Sequence, residues 1–383
     1  MRWKLDRVQL KVYQAAFIGK LKKWILGKND PYLPLPEKMF LSPSIGISSS
    51  YKTVERKLSF FNFRGNPLKW QNMARKKLVE ISGYDIKRPI PKIIKINNEQ
   101  LLNQNLFKRS LYLRVRKKTD LPVHLIYSKK NTKCLPVFIF LAGSTSGAHI
   151  GWGSKVVPID HQRVSIGADL ATQAAKRGYL SVAIEQAGYG ERGERSLWKR
   201  SQDRTIDASN HLLLLGKTLM GYGATDISSV LDWLLNSNKF FKIDKNRVFL
   251  FGHSSGGTLA QYASALDTRI KGTLASGSVG HITKTIGARG APGGDSIIPG
   301  LLKWFNSADL LALNAPRPFV GLSGDKDHIF PFSGTKSVIN EARQFYSIAK
   351  FKNSIKSFKV TGKHQYHSKE TWMAWEKWID PKS

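Results

Sequence analysis

The chain has almost no sulfur chemistry to offer. One cysteine, Cys134, among 383 residues excludes an intramolecular disulfide and leaves no thiolate cluster for a structural zinc. Long apolar runs are missing as well. The longest near-continuous one, residues 135–143 (LPVFIFLAG), is about half of the roughly 20 residues that a membrane-crossing helix needs, so it reads as a buried strand. The first twenty residues, MRWKLDRVQLKVYQAAFIGK, lack the apolar core and small-residue cleavage site of a secretory signal. With the single cysteine, this sets the expectation of a cytoplasmic protein.

Acidic residues are scarce too. Asp and Glu number 27 against 61 Lys and Arg, a formal net charge of +34. The imbalance is uneven: residues 1–134 hold 30 basic against 8 acidic side chains, and the remainder 31 against 19. A field of this kind would give weak, non-specific and salt-dependent contact with nucleic acid or an anionic membrane through the basic N-terminal third. Core-forming residues are not lacking, since 41% are apolar and 11% aromatic, which excludes disordered, collagen-like and low-complexity chains. No internal repeat is visible, and nothing in the sequence bears on oligomeric state.

Residues 1–62 read as a basic N-terminal extension, and 63–383 as one α/β domain. The extension opens with an amphipathic basic stretch carrying Val8, Leu10, Val12, Phe17, Ile18, Leu21, Trp24 and Ile25, followed by PYLPLPEK and SPSIGISSSYK. The Pro and Ser clusters mark loops and a boundary. Beyond them, periodicity predicts a helix over 69–82 stopped by Gly83, and alternation predicts a hairpin over 110–127 around a Lys-Lys-Thr-Asp turn. Strands are then expected at 137–141, 180–184, 248–251, 272–276, 319–322 and 355–360, mostly apolar throughout, as parallel strands covered on both faces are. Helices alternate with them, the clearest at 224–236, and the last is expected over 369–379 behind a Ser368 cap. This is the pattern of a doubly wound, mostly parallel α/β sheet with helices on both faces.

The chemistry is carried by Gly252-His253-Ser254-Ser255-Gly256-Gly257. It is a G-x-S-x-G directly after a strand and before a helix start, the context that a nucleophile elbow needs. Glycines flank the serine so that its strained turn can pack between strand and helix, and the helix N-terminus behind Ser254 favours developing negative charge. A serine needs a base at neutral pH, and in this fold the chain order is Ser, then Asp or Glu, then His. Of nine histidines, only His281, His328, His364 and His367 follow Ser254. His281 precedes the carboxylate-bearing segment Arg317–Pro331, which holds Asp325 and Asp327, and His328 reads as a loop neighbour of Asp327. His364 and His367 both lie in the turn before the last helix. Gly188-Tyr189-Gly190-Glu191-Arg192-Gly193 is a formal G-x-G-x-x-G, but the residues after it are charged where a dinucleotide-binding helix would be apolar. No cofactor and no metal site is expected.

With these blocks in place the chain resembles the α/β-hydrolase superfamily, in its dienelactone hydrolase-like and acetyl xylan esterase-like branch, over residues 63–380. The blocks include WQNMARKKLVEISG, AAKRGYLSVAIEQAGYGER, IDKNRVFLFGHSSGGTLAQYASALDTRIKGTLASG and PRPFVGLSGDKDHIFP. The resemblance implies a serine esterase that passes through an acyl-enzyme on Ser254. It assigns the acid to Asp327, with Asp325 as runner-up, and the base to His364, with His367 in reserve. The oxyanion hole would use the backbone N–H groups of Ser255 and Ser144. Relatives often read His-Gly where this chain has Ala142-Gly143-Ser144-Thr145, so the second donor departs from the family pattern. The substrate would be a small-molecule or carbohydrate ester, met by segments 188–223 and 281–315 with Trp198, Tyr222, Arg289 and Trp304. The alternatives are a prolyl oligopeptidase-like peptidase, weakened by the lack of a propeller-length domain before the elbow, and a non-catalytic binder that uses the basic third.

Overall fold

The computed structural model describes residues 41, 43–103, 105–130, 134–194, 205–286 and 296–382. The expected basic stretch over residues 8–25, PYLPLPEK, Trp198 and Arg289 lie outside the described residues. The chain divides into two units, Met1–Thr53 and Val54–Ser383. In the first, Pro43–Ser49 is helical and Ser50–Lys52 forms a 3-10 turn. In the second, Ser59 and Phe60 are buried, and both donate hydrogen bonds to Asp309.

Ten strands form one sheet: β1 (Lys92–Ile96), β2 (Gln100–Asn103), β3 (Leu106–Arg116), β4 (Thr119–Ser128), β5 (Leu135–Leu141), β6 (Leu180–Ile184), β7 (Ile243–His253), β8 (Gly272–Ser276), β9 (Phe319–Gly324) and β10 (Ile355–Val360). Their order is β1-β3-β4-β6-β5-β7-β8-β9-β10, with β2 paired to β3. The six strands from β6 to β10 in that order run parallel, while β1 to β4 join antiparallel. All six parallel strands contain the segments expected, with β7 starting five residues earlier than 248.

Strand periodicity explains the two cores. Along β5, Val137, Ile139 and Leu141 face one cluster, whose helices include Pro67–Ser82, Leu219–Asn236 and Ser255–Leu266. Phe138 and Phe140 face the other, which holds helix Leu170–Lys176 and the C-terminal tryptophans. There Phe138 lies 4.8 Å from the Trp375 ring and 5.5 Å from Trp372. Every residue of β5 is buried, which is why its sequence shows no polar alternation.

The first expected helix runs over Pro67–Ser82, where the Asn66 side chain accepts from the Leu68 N–H and Gly83 ends it at φ 69°. The helix expected at 224–236 starts earlier, at Leu219, because the Thr218 side chain accepts from the Gly221 N–H. One cap differs from expectation. His367, not Ser368, holds the N-cap position of helix Ser368–Ala374. Ser368 is already helical, and its hydroxyl donates 2.6 Å to Gln173 Oε1, which also receives the Trp372 indole N–H. Directly after it, Trp375–Ile379 form a π-helical turn. Among the described residues no helix is long and apolar enough to cross a membrane.

Candidate active site

Strand β7 ends at His253, and helix Ser255–Leu266 starts two residues later. Ser254, at the turn between them, has φ 53° and ψ −120°, a region costly for any residue with a side chain. The turn closes only because its flanks are glycine. A Cβ on Gly252 would meet the Gly256 carbonyl oxygen at 2.2 Å, and one on Gly256 would meet the Ala142 oxygen at 2.4 Å. The elbow is further pinned by the Ser254 N–H, which donates 2.8 Å to the Ser276 oxygen at the end of β8.

Ser254, Asp327 and His364 come together from three strand ends. The His364 Nε2 stands 2.9 Å from Ser254 Oγ, and its Nδ1 stands 2.8 Å from Asp327 Oδ2. Asp327 is buried, and its other oxygen accepts 2.8 Å bonds from the N–H groups of Ile329 and Phe330. Burial opposes its charge, but the His364 contact and these two backbone donors outweigh it and hold the carboxyl below its ordinary range. The runners-up go elsewhere. Exposed Asp325 accepts from the Gly362 N–H, and the His367 Nε2 faces the Lys363 carbonyl oxygen at 3.2 Å. His328 is exposed, and His281 pairs with Ser337 at 3.0 Å.

The loop after β5 lies against the nucleophile, since a Cβ on Gly143 would sit 3.4 Å from Ser254 Cβ. Its conformation is fixed from two sides. The Gly143 N–H donates 3.0 Å to the Tyr366 hydroxyl, and Arg163 donates to the Ser144 carbonyl and the Thr145 hydroxyl at 2.9 and 2.7 Å. Ser255, the other expected oxyanion donor, is the first residue of its helix, where a backbone N–H has no intrahelical acceptor.

Sequence reasoning missed Tyr366 and His253. Tyr366 follows the base by two residues, and its ring lies 4.1 Å from the buried His253 ring, which in turn lies 5.3 Å from His364. Burial, then the neighbouring His364, pushes the His253 pKa well down and keeps that ring neutral. A histidine at the first variable position of G-x-S-x-G was the available signal.

A second polar cluster lies beside β6. Glu185, the residue after β6, is buried and accepts the N–H groups of Ala148 and Glu191 at 3.0 and 3.2 Å. Burial, and then the neighbouring Glu191 charge, raises its pKa to about 7 against those two bonds. The Gly188–Gly193 motif is the loop that closes over it: a Cβ on Gly190 would strike Glu185 Oε2 at 2.1 Å. Arg192 from the same loop donates to Asp226 and to the Glu185 carbonyl at 2.8 and 3.1 Å. Among the described residues, His124, Glu185 and Glu191 are the group whose donor atoms, all within 4.8 Å of one another, could hold a metal ion. His124 Nδ1 pairs with Ser110 at 2.8 Å, while its buried Nε2 stands 3.0 Å from Glu191 Oε2 without a hydrogen-bond partner.

A strained serine on a strand-to-helix turn, backed by a histidine and a buried aspartate at the C-terminal edge of a parallel sheet, defines the α/β-hydrolase class. The chain belongs to the Abhydrolase family, whose model matches residues 52–366. It is similar to a protein of Bacillus subtilis (strain 168) provisionally named as the hydrolase YtaP, 25% identical over 228 residues that make up 59% of this chain and 72% of the relative. A solved structure from Bacteroides fragilis NCTC 9343, provisionally named as an acetyl xylan esterase, superposes with a TM-score of 0.68 at 21% identity, covering 85% of this chain and 84% of that one. A glucuronoyl esterase from Teredinibacter turnerae T7901 gives 0.62 at 15% identity, covering 85% and 88%. At these identities the solved structures speak for the fold.

Proposed function

We propose that the protein is a serine hydrolase of carboxylic esters that works through an acyl-enzyme on Ser254. The observation that carries this reading is the continuous chain from Asp327 through His364 to Ser254 Oγ, with links of 2.8 and 2.9 Å. His364 Nε2 takes the Ser254 proton as Oγ attacks the ester carbonyl carbon, and the same nitrogen returns the proton to the departing alkoxide. Water, deprotonated by His364, then attacks the acyl-enzyme, and Ser254 leaves with the proton. Asp327 holds the Nδ1–H tautomer and stabilises the imidazolium formed in each half-reaction. The Ser255 N–H meets the oxyanion. Tyr366 already occupies the Gly143 N–H, so Ser144 is the next amide along the loop and serves as second donor.

The substrate class follows the relatives: an acetyl or related ester of a carbohydrate or small molecule. Rapid acid quench with p-nitrophenyl acetate tests the reading. It predicts a stoichiometric burst of p-nitrophenol and an acetyl group recovered on the Ser254 peptide. Steady turnover that persists in Ser254→Ala would overturn it.

A further inference from the structure

A cavity of about 390 Å³ opens on the sheet face at β3, β4 and the end of β6, and its walls include Lys108, Tyr112, His124, Trp152, Glu185 and Glu191. Its volume is at the small end of the roughly 300–1,000 Å³ usual for small-molecule sites. We propose that this cavity is a subsite for a neutral, hydroxyl-rich group of monosaccharide size, the polyol portion of the ester. The proposal rests on Ser254 being the ester-cleaving nucleophile, and it assigns to the cavity the part of the substrate that Ser254 does not touch.

The chemistry of the walls selects the ligand. The wall carries donors and acceptors side by side: Tyr112 donates 2.8 Å to Glu191 Oε1, and His124 stands 3.0 Å from Glu191 Oε2. Lys108 lies 4.5 Å from the centre of the Trp152 ring, and the His124 ring lies 4.6 Å from it on a tilt. Formal charge nearly cancels, with one ammonium against one carboxylate, and Glu185 pushed up to about 7 by burial. An anion would meet Glu191 and a cation would meet Lys108. A hydroxyl both donates and accepts, so it satisfies such a mixed wall without an unpaired charge.

Topology ties the cavity to the nucleophile. In the sheet, β5 alone separates β6 from β7, so their ends lie about 10 Å apart at roughly 4.8 Å per strand. One loop covers both places. Gly143 packs beside Ser254, and Ser146, His149 and Trp152, further along, line the cavity. Gln186, the second residue past β6, donates 2.7 Å back to the Ala142 carbonyl. A bound sugar would therefore bear on the segment that shapes the oxyanion side of the site.

The test uses the full chain in three arms. In the first, Ser254→Ala is titrated with methyl β-xyloside by saturation-transfer NMR, with methyl glucuronide and glucosamine as charged comparators. Binding of the xyloside in preference to both, lost in Lys108→Met combined with Tyr112→Phe, is expected. No xyloside binding, binding indifferent to the two substitutions, or equal binding of a charged comparator overturns the proposal. In the second, the same double substitution on the active chain is expected to lower the ratio of kcat/KM for acetylated methyl xyloside to that for p-nitrophenyl acetate about tenfold, mainly through KM. An unchanged ratio overturns the subsite while leaving the esterase reading intact. If neither ester is turned over, the esterase reading fails, and the binding arm still decides the cavity. In the third, Mn²⁺ bound at the cavity in the absence of sugar, detected by EPR and lost in Glu191→Gln, would make it a metal site and contradict the proposal.

Discussion

Two serine–histidine–carboxylate sets lie on this sheet, and they do different things. Ser254, His364 and Asp327 sit at strand ends. Ser110, His124 and Glu191 repeat the residue types at similar distances, 2.8 Å from Ser110 to His124 and 3.0 Å from His124 to Glu191. Ser110, however, lies within β3, paired opposite His124 in β4, and is buried. It has no strained turn to project its hydroxyl and no helix N-terminus behind it to receive an oxyanion. The orientation of the histidine differs too. His364 gives Nδ1 to the acid and Nε2 to the serine, whereas His124 gives Nδ1 to the serine. A triad is defined by backbone placement and ring orientation, and the same three residue types, two on neighbouring strands and one in a 3-10 turn, form a supporting network.

The comparison is broken most severely at the first set. Ser254→Ala or His364→Ala is expected to lower kcat for p-nitrophenyl acetate by about three or more orders of magnitude, measured on variants with native near-UV spectra. If His367→Ala had that effect and His364→Ala did not, the base would be misassigned. Next in size, Asp327→Asn leaves the shape but offers His364 the wrong hydrogen-bond partner, with an expected loss on the order of 10²- to 10⁴-fold in kcat. A loss below tenfold would show that another group orients the imidazole.

Tyr366→Phe sharpens the contrast, since this tyrosine anchors the loop beside Ser254, whereas Tyr112 in the second set bonds the carboxylate. It strips the Gly143 N–H of its acceptor and frees the oxyanion-side loop, so kcat is expected to fall on the order of tenfold with little change in KM. A change confined to KM would contradict the assignment. The smallest effect is on stability. Glu185 and Asp309 are both raised to about 7, Glu185 from 4.5 and Asp309 from 3.8, by burial first. A raised acid pKa means that the native state holds a proton which the unfolded chain has released, so stability falls as pH rises from about 4 to 7. Each group contributes a loss on the order of 3 kcal/mol across that window. Urea midpoints at pH 5 and 8 in Asp309→Asn check the sign: the variant should lose less stability over that range than the unaltered chain.

Most of the parallel strands were legible in the sequence because burial on both faces makes them apolar, as at residues 137–141. The short strands β1 and β2 were not, since their residues are mostly exposed and include Lys92, Lys95 and Gln100. The elbow was legible because steric crowding admits only glycine at 252 and 256. Asp327 and His364 were readable through family resemblance, and chain order alone had left His367 open. Tyr366 and Glu185 were not readable. Tyr366 meets Gly143 across 223 residues of chain, and Glu185 takes its donors from two loops, at Ala148 and Glu191. Such roles exist only after folding brings those loops together.

The account stands most directly on the activation of one serine. Treating the full chain with a fluorophosphonate at neutral pH and measuring intact mass, then locating the adduct by peptide mapping, tests it. The account predicts one adduct on Ser254, absent from Ser254→Ala and still formed in Ser110→Ala. An adduct on Ser110, or a folded chain that takes up none, would contradict it.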